Sequence, residues 1–131
     1  MTRILTIIAL LFATPAWAGE VDGNSFYCSP DGLGTSSHYA FNFQYGMSYG
    51  YNDSGRQIFN EYDVTAGLVL WGIDDHAHFR MDRKTLGLFM ILNASPVARW
   101  QCKFMDIANA RALLEQIGKQ KDRDAREGNQ F

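Results

Sequence analysis

"HYAFNFQYGMSYGYND", residues 38–53, decides how this chain folds. Consecutive odd positions carry large side chains: Tyr39, Phe41, Phe43, Tyr45, Met47, Tyr49 and Tyr51. The even positions between them are small or polar. A period of two is the pattern of a strand with one buried face. A single strand over 39–51 would exceed about 40 Å at about 3.3 Å per residue, too long for a domain of this size. Gly46 offers a break. A three-residue hairpin loop, Gln44-Tyr45-Gly46, with Gly46 left-handed, pairs Phe43 with Met47, Phe41 with Tyr49 and Tyr39 with Tyr51 on one face. A two-residue loop at Tyr45-Gly46 sets Phe43 opposite Ser48 and divides the aromatic residues between faces. Burial of a single face favours the three-residue loop.

The same reasoning runs downstream. Ile58, Tyr62 and Val64 alternate, and a loop at Thr65-Ala66-Gly67 sets Val64 opposite Leu68 and Tyr62 opposite Leu70. Phe79 and Met81 lead into a polar turn, Asp82-Arg83-Lys84-Thr85, that places Met81 opposite Leu86 and Phe79 opposite Leu88. In "VARWQCKF" Ala98, Trp100, Cys102 and Phe104 share one side. Eight strands are predicted, near 24–29, 38–43, 47–52, 57–65, 68–73, 76–81, 86–92 and 97–104. Short turns make sequence neighbours antiparallel neighbours in space.

Cys28 falls in the first strand and Cys102 in the last, and these are the chain's two cysteines. In an exported protein such a pair forms a disulfide. Closing a loop of about 75 residues contributes roughly 4 kcal/mol in the chain-entropy model. It also brings the ends of the meander together. The predicted fold is therefore mainly β: an eight-stranded antiparallel meander closed or curled into a small barrel. After it, Asp106 N-caps a helix with Ile107, Ala110, Leu114 and Ile117 on the docking stripe. Phe26, Tyr39, Phe41, Phe43, Tyr49, Tyr51, Tyr62 and Trp100 suffice to fill a small barrel, so the aromatic run reads as core. The alternative, a hollow barrel holding one small molecule, stays open.

The chain opens "MTRILTIIALLFATPAWAGE": a basic residue, an apolar stretch of about ten residues and a small-x-small site at Ala16-Trp17-Ala18. That is the layout of a secretory signal peptide, and the apolar run is shorter than the roughly 20 residues of a spanning helix. The expected organisation is a signal peptide at 1–18, a barrel domain at 19–105, a docked helix at 106–121 and a flexible mixed-charge tail at 122–131. The localisation that follows is periplasmic or secreted. With 12 basic and 14 acidic residues, the composition gives no argument for nucleic acid. No membrane span is expected after cleavage, and a monomer is the default.

"DDHAHF" (74–79) is the metal candidate. On a strand, His76 and His78 share a face about 7 Å apart, with Asp74 or Asp75 as an oxygen donor and His38 as the one other histidine. If Phe79 and Met81 point inward, His76, His78 and Arg80 point to solvent. No nucleophile elbow, phosphate loop or zinc-protease helix is present, and a disulfide removes the cysteines as nucleophiles. Neither a catalytic residue nor a cofactor is expected.

Cys28, Trp71, "FRMDRKTL" (79–86) and Cys102 resemble, in their order, small exported bacterial β proteins of unknown function. That resemblance implies a fold and no activity. A second one implies a function. "NDSGRQIF", with Ser54, Gly55 and Arg56, followed by Trp71-Gly72, is similar to periplasmic inhibitors of C-type lysozyme, eight-stranded barrels whose Ser-Gly-x-basic loop enters the enzyme's cleft. Here the residue between glycine and the basic position is missing, and the 82–85 turn and terminal helix are extra. The expectation is a non-enzymatic binding protein that recognises a protein partner through surface loops, most plausibly 52–57 or 72–76, with Ser54, Gly55 and Arg56 as binding residues. The alternatives are a small-ligand carrier and a lysozyme-type hydrolase inhibitor.

Overall fold

Alternating apolar residues and short turns produce the expected strands, and a computed structural model describes them across residues 20–128, apart from 33, 66 and 73–75. The expected signal peptide, Asp74, Asp75 and the last three residues lie outside the described residues. The strands are β1 (Ser25–Pro30), β2 (Tyr39–Gln44), β3 (Met47–Asn52), β4 (Gln57–Val64), β5 (Leu68–Gly72), β6 (Ala77–Asp82), β7 (Gly87–Leu92) and β8 (Ser95–Phe104). Each pairs antiparallel with its neighbours in sequence, and β1 pairs with β8, which closes the barrel. Cys28 stands opposite Cys102 in that last ladder, their Cα atoms 4.0 Å apart, and the two form a disulfide. Every strand thus has a neighbour on both sides, with β4 and β5 paired over Tyr62–Val64.

Two hairpin registers differ from the expected ones in the parity of their pairing. In the first, Gln44 pairs with Met47, Phe43 with Ser48 and Phe41 with Gly50. The loop is the two-residue Tyr45-Gly46, both residues with positive φ (55° and 74°). Such a turn matches the right-handed twist of its strands. Tyr49 and Tyr51 therefore leave the interior, and one-face burial was the wrong criterion. Interior volume decides instead: Phe41 and Phe43 fill the space that Gly50 and Ser48 leave open. A Cβ on Gly50 would lie 2.8 Å from Phe41 Cε1.

In the second, Val64 pairs with Val69 and Tyr62 with Trp71, so the interior receives Val69 and Trp71 while Leu68 and Leu70 face out. The Trp71 indole has more apolar surface to bury than either leucine. The β6–β7 hairpin also slips, with Met81 opposite Leu88 and Phe79 opposite Met90. This shift is an even one and keeps every side chain on its expected face. Its turn ends on Leu86 at φ 61°, and Asp82 Oδ1 accepts from the Lys84 and Thr85 amides.

The interior is packed with rings. Phe26, Phe41, Phe43, Val69, Trp71, Phe79, Met81, Leu88 and Trp100 form one buried cluster with both half-cystines. Phe41 and Phe43 each meet Trp71 edge-on at 5.0 Å, and Phe79 lies 5.4 Å from Phe41. Pairs of this geometry add about 0.5–1.5 kcal/mol each beyond their area burial.

Helix α1 (Ile107–Gly128) starts where Asp106 Oδ2 accepts the Asn109 amide at 3.3 Å. It buries Ala110 and Leu114 against Tyr27 and Ala40 on the outside of the barrel, with Ile107 and Ile117 packed at the margin. The helix continues to Gly128, well past the expected end at residue 121. The mixed charges that suggested a flexible tail support the helix instead. Glu115 pairs with Lys119 at 3.2 Å, Gln120 donates to Asp124 at 3.0 Å, and the segment is rich in good helix formers.

Candidate functional site

Loop 52–57 is shaped by its own sequence. Asn52 Oδ1 accepts the Ser54 amide at 3.0 Å, the Ser54 hydroxyl at 2.8 Å and the Arg56 amide at 2.9 Å. This is the local turn bonding that asparagine favours. It leaves Ser54, Gly55 and Arg56 exposed at the barrel's end, as the reading of "NDSGRQIF" requires.

Asp53, inside the same turn, has the opposite environment. Its carboxylate is buried and accepts the His38 amide at 3.0 Å and the Lys121 ammonium at 2.8 Å. Lys121 also donates to the Ser36 carbonyl at 2.6 Å. Gly118 lies so close above the Asp53 carbonyl that a Cβ there would collide with it. Loop, helix and the strand entering β2 are thus tied at one point. A carboxylate removed from water is tolerable only with such partners.

Tyr27 extends the network. Its hydroxyl lies 2.6 Å from His38 Nδ1, and the rings stack at 5.9 Å. Burial, reinforced by Asp53, raises the Tyr27 pKa, so the phenol keeps its proton and donates it. Burial lowers the His38 pKa, with Lys121 in the same sense and Asp53 opposing. A neutral imidazole accepting at Nδ1 satisfies both groups. At the other end of the barrel Tyr62 hydrogen-bonds to Asp22, and its pKa is pushed up to about 12, mainly by burial and then by that bond.

Between loop 52–57 and α1 runs a groove of about 590 Å³. Tyr51, Asp53, Gly55 and Gln57 form its barrel side, and Arg111, Glu115, Lys119 and Asp122 its helix side. Arg111 lies over the Tyr51 ring at 4.3 Å. The groove therefore combines a turn with exposed polar groups, a guanidinium over an aromatic ring and a base anchored by the buried Asp53 carboxylate. Its lining carries both charge signs and an aromatic wall.

The structure brings only part of the expected site together. Gly55 lines the groove, with Ser54 and Arg56 beside it. His78 lies half-buried on β6, whose Phe79 and Met81 point inward; His76 precedes that strand, and its carbonyl accepts the Asn93 amide at 2.7 Å. Among the described residues no group of three or more His, Cys, Asp or Glu is placed to hold a metal ion. His38 is committed to Tyr27. Sequence reasoning missed Tyr27, Asp53, Arg111 and Lys121, because their contacts join β1, a turn and a helix far apart in the chain. The one local hint was "NDS", where two turn-forming residues stand side by side and only one is needed for the turn.

No family model matches this chain, and neither the curated proteins nor the solved structures contain a match to it.

Proposed function

We propose that this protein is an exported, non-enzymatic binding protein that recognises a protein partner at the groove between loop 52–57 and α1. The observation that carries the reading is the contrast between a barrel interior occupied by its own rings and an external groove anchored by the buried Asp53 carboxylate and its half-exposed Lys121 partner. Export is supported by the leader-like N-terminus together with the disulfide. Among the described residues no helix is long and apolar enough to cross a membrane.

The test uses a photocrosslinking residue at Gln57, in the groove, and another at Val97 on β8, across the barrel. Full-length protein is produced in its own cells and irradiated. A discrete adduct at Gln57, absent at Val97 and lost on Arg56→Ala, supports the reading. Equal capture at both positions, or none at either, refutes it.

A second reading is favoured by one observation. Ser48 Oγ and Trp71 Nε1 are buried without a hydrogen-bond partner among the described residues, and Phe43 stands opposite the first and against the second. An internal carrier of a small polar molecule would satisfy them. Native mass spectrometry separates the two: added mass on the purified protein favours the carrier, and a bare mass favours the groove. The resemblance of Ser54-Gly55-Arg56 to a lysozyme-inhibiting loop makes that enzyme the first partner to assay.

A further inference from the structure

The outside of β3 and β4 is unusual for a barrel surface, because it is aromatic. Met47, Tyr49 and Tyr51 point outward, opposite Glu61, Phe59 and Gln57 on β4. The Tyr49 and Phe59 rings meet edge-on at 5.3 Å, and Phe59 remains 51% exposed. This pair stands beside the groove: Tyr51, which lines it, is two residues from Tyr49 on the same face, and Arg111 covers Tyr51.

Arg111 is the informative residue. A helical arginine with a glutamate four positions on is within pairing reach of it, although the order with the acid first is the stronger one. Here Glu115 is held by Lys119, and Arg111 lies on the tyrosine, with no hydrogen-bond or ion-pair partner among the described residues. The guanidinium carbon rests 4.3 Å from the Tyr51 ring centroid, and Arg111 lines the groove. A planar guanidinium fork is matched by a carboxylate, which it binds through two parallel hydrogen bonds.

We propose that the groove binds an extended peptide segment of the partner, its carboxylate on Arg111 and an apolar side chain two residues away on the Tyr49–Phe59 pair. The spacing supports this occupant. Side chains two apart in an extended chain are about 6.6 Å apart, which is also the step from Tyr51 to Tyr49 along β3. A ligand lying along β3 can therefore meet both features without bending. The proposal rests on the groove being the recognition surface.

The experiment is a titration of the ¹⁵N-labelled, disulfide-intact protein with acetyl-Ser-Asp-Ser-Leu-Ser-amide, followed by amide chemical shifts. The Asn-for-Asp peptide and polygalacturonate serve as comparison probes. The proposal requires shifts at Tyr49, Tyr51, Phe59 and Arg111. It also requires binding about tenfold weaker for the Asn peptide and for Arg111→Gln, as expected for one lost charged pair. Arg111→Lys should recover only part, because an ammonium lacks the planar fork. Phe59→Ser should abolish the preference for Leu over Gly in the peptide. Indifference to the carboxylate, shifts elsewhere on the barrel, or binding of polygalacturonate and not the peptide would each overturn it. Specific crosslinking at Gln57 that survives Arg111→Gln would keep the groove and sink only the carboxylate assignment. Failure of crosslinking in the unmodified groove would sink both.

Discussion

β2 turns Tyr39, Phe41 and Phe43 into the barrel, whereas β3 beside it turns Met47, Tyr49 and Tyr51 out. The residues are alike in size and polarity, and one hairpin joins them. The difference is a single step of register, set by the two-residue turn Tyr45-Gly46. Inside, rings meet rings at 5.0–5.9 Å and define the core. Outside, the rings cover the edge of a helix or stand half in water, where they are free to meet something else. Hydrophobicity chose strands; the limited volume inside an eight-stranded barrel chose which aromatic residues enter it.

Substitutions on the two faces should separate sharply. Phe43→Ala leaves a cavity against Trp71 and Tyr62 and should cost about 3–5 kcal/mol, read from urea denaturation. A loss under about 1 kcal/mol would mean the interior can collapse around the gap. Replacing both cysteines by alanine removes the link between β1 and β8, and should lower stability by about 2–4 kcal/mol. An unchanged midpoint would show that the β1–β8 ladder closes the barrel unaided.

Gly50→Val tests the register itself. Its added methyls must displace the Phe41 ring, so a loss of about 1–3 kcal/mol is expected. Had the hairpin taken the one-face register, Gly50 would face outward and valine would be neutral or favourable in the strand.

A smaller effect is expected from pH at the helix side. The His38 pKa is held below its ordinary 6.5 by burial and Lys121, against the pull of Asp53. The unfolded chain therefore takes up this proton first. Stability is fully present above about pH 6.5, falls as pH drops below it, and levels off beneath the folded pKa. Three groups face the imidazole: the Tyr27 hydroxyl from β1, Asp53 from the turn and Lys121 from α1. His38→Gln should flatten this part of the profile between pH 7.5 and 5.5, and an unaltered slope would assign it elsewhere. Phe59→Ala on the outer face should cost only about 1 kcal/mol, chiefly the ring pair with Tyr49. A large loss there would mean that the outer pair is structural and not left for a partner.

Eight strands, a disulfide between the first and last, and a helix starting after Asp106 follow from alternation, turn residues and cysteine placement, which are local or depend on one long-range pair. Parity within the β2–β3 and β4–β5 hairpins does not follow, because it depends on how much volume the other strands have already filled. At the β6–β7 hairpin the slip was even, so the faces came out as expected despite the wrong partners. The candidate site divides in the same way. The exposed Ser54-Gly55-Arg56 turn is written in "NDSGR", since asparagine bonds its own backbone wherever the chain is free to turn. The Asp53–Lys121 pair, Tyr27 on His38 and Arg111 on Tyr51 are not. They exist because α1 docks across β1 and β2 with Gly118 against the turn, and that docking is decided by the shape of a barrel already closed.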